Sequence, residues 1–84
     1  MKIERLVAMA NDIAAFFANE KDPNVAAEQV ASHIKRYWEA RMRKELAAHV
    51  RMGAAGMSDL ARRAIERLEA DIASGDARAG AAKR

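Results

Sequence analysis

Apolar residues return along this chain with the period of a helix and nowhere with the period of a strand. At 100° per residue, Ile3, Leu6, Ala10, Ile13 and Phe17 fall on one stripe, with Met9 and Phe16 on its flank and Arg5, Asp12 and Asn19 opposite. So broad an apolar side is what a bundle member buries, and it predicts a helix over 2–19. Asp22-Pro23 marks a fresh start. Aspartate caps a helix, and proline costs nothing at the first helical position, where the N–H has no partner in any case. Ala27, Val30, Ala31, Ile34, Tyr37 and Trp38 form the stripe of a second helix that runs to about Trp38.

Residues 39–52 keep a helical composition, but their apolar set turns. Met42, Leu46, His49 and Val50 are centred roughly 110° around the axis from the preceding stripe. One straight helix would aim the two sets at different neighbours, so a break is predicted near 39–41, although neither glycine nor proline stands there to enforce it. Gly53 suits the left-handed residue that ends a third helix. Ser58 caps a fourth, with Asp59 in the first turn favouring the helix dipole. The fourth helix is predicted over 59–73, with Ala61, Ala64, Ile65, Leu68 and Ile72 on one side and a stop at Ser74-Gly75. The expected fold class is all-α: a small bundle of three to four amphipathic helices over 1–73, followed by a disordered C-terminal tail over 74–84 that has no periodic apolar residue.

Composition narrows how such a fold is held. A chain of 84 residues makes one small domain. A domain of this size buries only about 60% of the surface its unfolded form exposes. It has no cysteine, which closes the disulfide route and removes thiolate metal sites. Helix packing and association with a partner remain. No apolar run approaches the ~20 residues of a membrane span. Charges continue through Met1-Lys2-Ile3-Glu4-Arg5, unlike a secretory leader. No membrane association and a cytoplasmic location are expected.

Catalytic chemistry lacks its parts. Asp12, Glu28, Glu66 and Glu69 lie off the apolar stripes and read as surface charges. Ser32 and His33 are neighbours, so on a helix their side chains diverge by about 100°. Gly53-Ala54-Ala55-Gly56 has neither the preceding strand nor the lysine of a phosphate loop. His33 and His49 are sixteen positions apart, and His49 is expected to pair with Glu45 one turn earlier on the helix surface. No catalytic, cofactor-binding or metal-binding residue is expected in this chain.

The charge is placed unevenly. Of a net charge of +3, residues 33–52 alone carry a local +4, from six basic side chains against Glu39 and Glu45. Within 33–44 stand the only tryptophan, the only tyrosine and five of the fifteen basic residues. Aromatic residues, arginine and methionine are enriched at protein interfaces. The guanidinium fork makes two parallel hydrogen bonds to a carboxylate. Arg36, Tyr37, Trp38, Arg41, Met42 and Arg43 are therefore the candidate partner-binding residues. Within that set the three arginines favour partner contact, whereas Trp38, like Ile34, fits the chain's own core better.

These residues also carry a resemblance. Leu6-Val7-Ala8-Met9-Ala10-Asn11-Asp12-Ile13-Ala14-Ala15-Phe16-Phe17 is followed by His33-Ile34-Lys35-Arg36-Tyr37-Trp38-Glu39-Ala40-Arg41-Met42-Arg43, then Leu46-Ala47-Ala48-His49-Val50 and Gly53-Ala54-Ala55-Gly56-Met57. In order and spacing, over roughly 3–72, this resembles the delta subunit of the NAD-dependent, molybdenum-containing formate dehydrogenases. Trp38-Glu39-Ala40-Arg41-Met42-Arg43 is the most specific stretch, and it departs from the family pattern in having Ala40 where that pattern has proline. The resemblance implies an accessory subunit of a cytoplasmic complex, without a redox group of its own. Molybdopterin, iron–sulfur clusters, flavin and NAD would belong to the partner subunits. The implied partner is the large (alpha) subunit, and the implied role is its assembly, stabilisation or cofactor insertion.

Two other readings stand beside it. A nucleic-acid-binding helical module could use the same cations on phosphates, but the basic segment holds no Asn or Gln to read bases, and no nucleic-acid partner is expected. The broad apolar side of the first helix also suits a homodimer of the isolated chain.

Overall fold

The computed structural model describes residues 2–82, with side chains through Asp71. All described regular structure is helical: α1 (Ile3–Phe17), α2 (Pro23–Tyr37), α3 (Ala40–Arg51) and α4 (Asp59–Ala82). The all-α bundle expected from the periodicity is what forms. α4 packs against each of the other helices, most extensively α2, and α1 also touches both α2 and α3. Leu6, Val30, Ile34, Leu46 and Ile65 are sealed at the centre, so every helix contributes to one core. No polar or charged residue is buried among the described ones.

Local chemistry sets the helix boundaries. The Asp22 carboxylate accepts from the Asn24 N–H at 2.9 Å, with Pro23 opening α2. This satisfies one of the donors that a helix start leaves free. Ser58 does the same for α4, its Oγ accepting from the Ala61 N–H at 3.2 Å. α3 closes in a Schellman turn: the Gly53 N–H donates to the Val50 carbonyl at 3.1 Å and the Ala54 N–H to the His49 carbonyl at 3.0 Å. Gly53 has φ +119°, as its expected left-handed role requires, and Ala54 follows at φ +56°. A side chain tolerates that region only when its surroundings hold it there.

The break between the second and third helices is present. Trp38 (ψ 142°) and Glu39 (ψ 152°) are extended, and α3 begins at Ala40. An extended residue followed by the first residue of a helix is the geometry that proline would impose at that place. Here alanine adopts it, and the two extended residues turn Trp38 into the core, where 7% of it remains exposed.

Three expectations need correction. Tyr37 is not part of the buried stripe of α2: the helix ends on it, and 67% of it is exposed. On α1 the buried set is Leu6, Val7, Ala10 and Ala14, while Ile13 and Phe17 pack only on the margin of the core and Phe16 is 78% exposed. The small alanines let neighbouring backbone approach, which leaves the bulkier side chains at the edge. α4 also passes its expected stop and runs through Ser74 and Gly75 to Ala82. No proline intervenes, and Gly75 and Gly80 cost only ~1 kcal/mol each against alanine, a strong helix former that supplies half of residues 73–82. The side chain of Ile72 of the expected stripe, and those of the expected tail, lie outside the described side chains.

Candidate interaction surface

The six residues singled out at 36–43 do not form one patch. Trp38 is a core residue. Met42 is half-buried and packs against the core. Arg43 is half-buried, with Nε shielded from water and without an acceptor among the described residues. Arg36, Tyr37 and Arg41 are exposed. Arg36 and Tyr37 sit at the end of α2, where Tyr37 lies against His33 with ring centroids 4.8 Å apart. Arg41 starts α3, on the far side of the extended pair.

Ion pairing separates these cations from the arginines of 51–67, although Lys2, Arg5 and Lys21 are unpaired too among the described residues. Arg62 bonds both Asp59 and Glu66, the latter at 3.0 Å. Arg63 reaches Asp59 at 3.0 Å, Arg51 reaches Glu69 at 2.9 Å, and Arg67 approaches Glu28 at 3.6 Å. The bond from Arg62 holds the Asp59 carboxyl below its ordinary pKa, and Asp59 in turn raises the Arg62 guanidinium. Among the described residues, Lys35, Arg36, Arg41, Arg43 and Lys44 take part in no ion pair.

A second constellation was missed by sequence reasoning. The Asn11 amide spans the loop between α3 and α4: its Nδ2 donates to the Gly56 carbonyl at 2.9 Å, and its Oδ1 accepts from the Ser58 N–H at 2.8 Å. The His49 ring nitrogen Nε2 lies 2.8 Å from the Ala55 carbonyl. Since a carbonyl only accepts, Nε2 carries the hydrogen. The expected His49–Glu45 pair does not form, because the loop carbonyl takes its place. Both side chains stand half-buried at the margins of their helices. The available signal was a loop with two glycines, which leaves backbone groups that some polar side chain must satisfy.

As for reactive groups, no three His, Asp or Glu side chains converge in metal-binding geometry among the described residues, and the chain has no thiolate to hold an iron–sulfur cluster. No described helix is long and apolar enough to cross a membrane. What the arrangement offers is a surface: exposed cations without acids, next to exposed aromatic rings.

Comparison with known proteins gives one match. The family model described as NADH-dependent formate dehydrogenase delta subunit FdsD matches residues 5–65. That span runs from α1 through the break and the clamped loop into α4. No curated protein and no solved structure matches the chain.

Proposed function

The chain belongs to the NADH-dependent formate dehydrogenase delta subunit family, and on that premise we propose that it is a non-catalytic accessory subunit that docks on the large subunit of a cytoplasmic complex. There it stabilises the large subunit or assists its assembly and cofactor insertion. The redox groups the family implies, a molybdopterin-bound metal, iron–sulfur clusters, flavin and NAD, are carried by the partner subunits in this reading.

One observation carries the reading: the cations of 35–44 have no acid of their own among the described residues, while Arg62, Arg63 and Arg67 of α4 are each paired. Exposed guanidinium groups without an internal acceptor are free to meet carboxylates of another protein. Hydrogen bonds to charged groups each contribute roughly 1.5–3 kcal/mol when desolvated.

The test is co-purification of the tagged chain with the large subunit. Arg36→Glu with Arg41→Glu changes two exposed side chains and spares half-buried Arg43. The double variant should keep its helical circular dichroism and lose more than about tenfold in affinity. Unchanged co-purification would remove these cations from the contact.

A further inference from the structure

α1 and α2 leave an open groove of about 920 Å³ lined by Phe17, Val25, Gln29, Ser32, His33 and Tyr37, with Glu28, Lys35 and Arg36 on its rim. A smaller, mostly apolar hollow formed by Ile13, Phe16, Phe17 and His33, with Asp12 beside them, continues it. The rings make one ladder: Phe16 meets Phe17 edge-on at 5.1 Å, Phe17 meets His33 at 6.3 Å, and His33 meets Tyr37 at 4.8 Å. Phe16 and Tyr37 are 78% and 67% exposed, and Val25 is 37% exposed. These are large apolar surfaces in water, on a chain whose other stripes are spent on its own core.

The charge has a definite sign at the Tyr37 end, whereas Asp12 stands at the Phe16 end. Glu28, the acid on its rim, is directed to Arg67 of α4. Lys35 and Arg36 have no acid among the described residues. The lining is therefore aromatic and the uncompensated charge at the Tyr37 end is cationic, while Gln29 and Ser32 supply neutral hydrogen-bonding groups.

We infer that this groove receives an acidic segment of the partner polypeptide that inserts a bulky apolar side chain between Phe16 and Tyr37 and sets its carboxylates on Lys35 and Arg36. The inference rests on the accessory-subunit reading and adds to it a place on this chain and a chemistry for the partner's segment. Aromatic anchors ringed by charge are where binding energy concentrates in protein interfaces. A single nucleic-acid strand would need cations along its whole track and open ring faces for stacking. Here two cations sit at one end, and the Phe16–Phe17 contact is edge-on, at 89°.

Affinity of the full chain for the large subunit tests this. Phe16→Ser with Tyr37→Ser alters two exposed rings. It should weaken binding at least tenfold while leaving the circular dichroism and melting temperature unchanged. Gln29→Glu and Gln29→Lys place opposite charges at one exposed helical position inside the groove. The glutamate should weaken binding several-fold and the lysine should not. Binding of the double serine variant within twofold of wild type, or equal effects of the two Gln29 variants, would overturn the groove and leave the accessory reading in place. A wild-type chain that does not bind the large subunit at all would remove both. Loss in the serine variant of binding to an oligonucleotide or an anionic vesicle, with subunit binding intact, would also overturn the proposal.

Discussion

Two stretches of this chain spend the same residue type in opposite ways. From Asp59 to Glu69, arginines meet carboxylates one turn away or on the facing helix: Arg62 with Asp59 and Glu66, Arg63 with Asp59, Arg67 with Glu28, and Glu69 with Arg51. From Lys35 to Lys44, five cations stand with no such partner among the described residues. Paired charges at helical spacing contribute a few tenths of a kcal/mol each and satisfy themselves. The unpaired ones lack that contribution; Lys35 and Arg36 meet only the dipole at the end of α2, and all five keep their hydrogen-bonding capacity for acceptors elsewhere. The charges of 59–69 are spent within the fold, and in the proposed reading those of 35–44 serve an encounter.

Trp38 is where that division can be broken most violently, because it sits inside the cationic stretch yet packs as core. Trp38→Ala should cost about 3–5 kcal/mol, read from urea denaturation. In a domain of this size that is most of the total stability. A loss below ~1 kcal/mol would move Trp38 to the encounter side.

The loop between α3 and α4 joins the two stretches, and Asn11 pins it from α1. Asn11→Ala frees the Gly56 carbonyl and the Ser58 N–H together, at a cost of about 1–3 kcal/mol. Faster hydrogen exchange at the Ser58 amide, with the core amides of α2 still protected, is the expected signature. Asn11→Asp keeps the acceptor for Ser58 but sets a carboxylate against the Gly56 carbonyl, so it should not restore the loop.

Much of this was legible beforehand, and the reasons differ by feature. The break at Trp38-Glu39 could be read because the apolar stripe must change direction there, whatever the residue at 40. The cap at Asp22 and the left-handed Gly53 follow from side chains that act on their own neighbourhood. Phe16 and Tyr37 could not be placed, because a stripe drawn at 100° per residue says which face is apolar and not how far around it the neighbours reach. The Asn11 and His49 contacts depend on the path of a loop whose contacted residues lie 45 and 47 positions from Asn11 and six from His49, and only the packed bundle brings them together. The run of α4 past Ser74-Gly75 reflects alanine outweighing Gly75 and Gly80.

Ala40→Pro sharpens the comparison from the other side. Ala40 is the first residue of α3 and follows the extended Glu39, so proline fits there without losing a helical hydrogen bond. It should stabilise the chain by roughly 0.4–1 kcal/mol by narrowing the unfolded ensemble. It should also hold Arg41 more firmly relative to Arg36. A thermal melt that falls would show that the angle between α2 and α3 is not the one proline sets.

The smallest effect lies in the paired stretch, and its sign can be worked out. The Asp59 carboxyl is held below its usual pKa chiefly by its hydrogen bond from Arg62, with Arg63 adding to this. A group whose folded pKa is depressed contributes stability above its unfolded value, near 3.9, and loses it as pH falls through the folded one. The melting temperature of the wild type should therefore drop more between pH 5 and pH 2 than that of Asp59→Asn. The group is fully exposed, so the difference should be small and should shrink further in high salt. At neutral pH the Asn variant makes Arg63 as unpaired as Arg41, and Arg62 keeps only Glu66. If affinity for the large subunit then rises, unpaired arginine anywhere on this surface suffices for docking. If it stays level while Arg36→Glu with Arg41→Glu lowers it, position matters, and the division between the two stretches is functional as well as electrostatic.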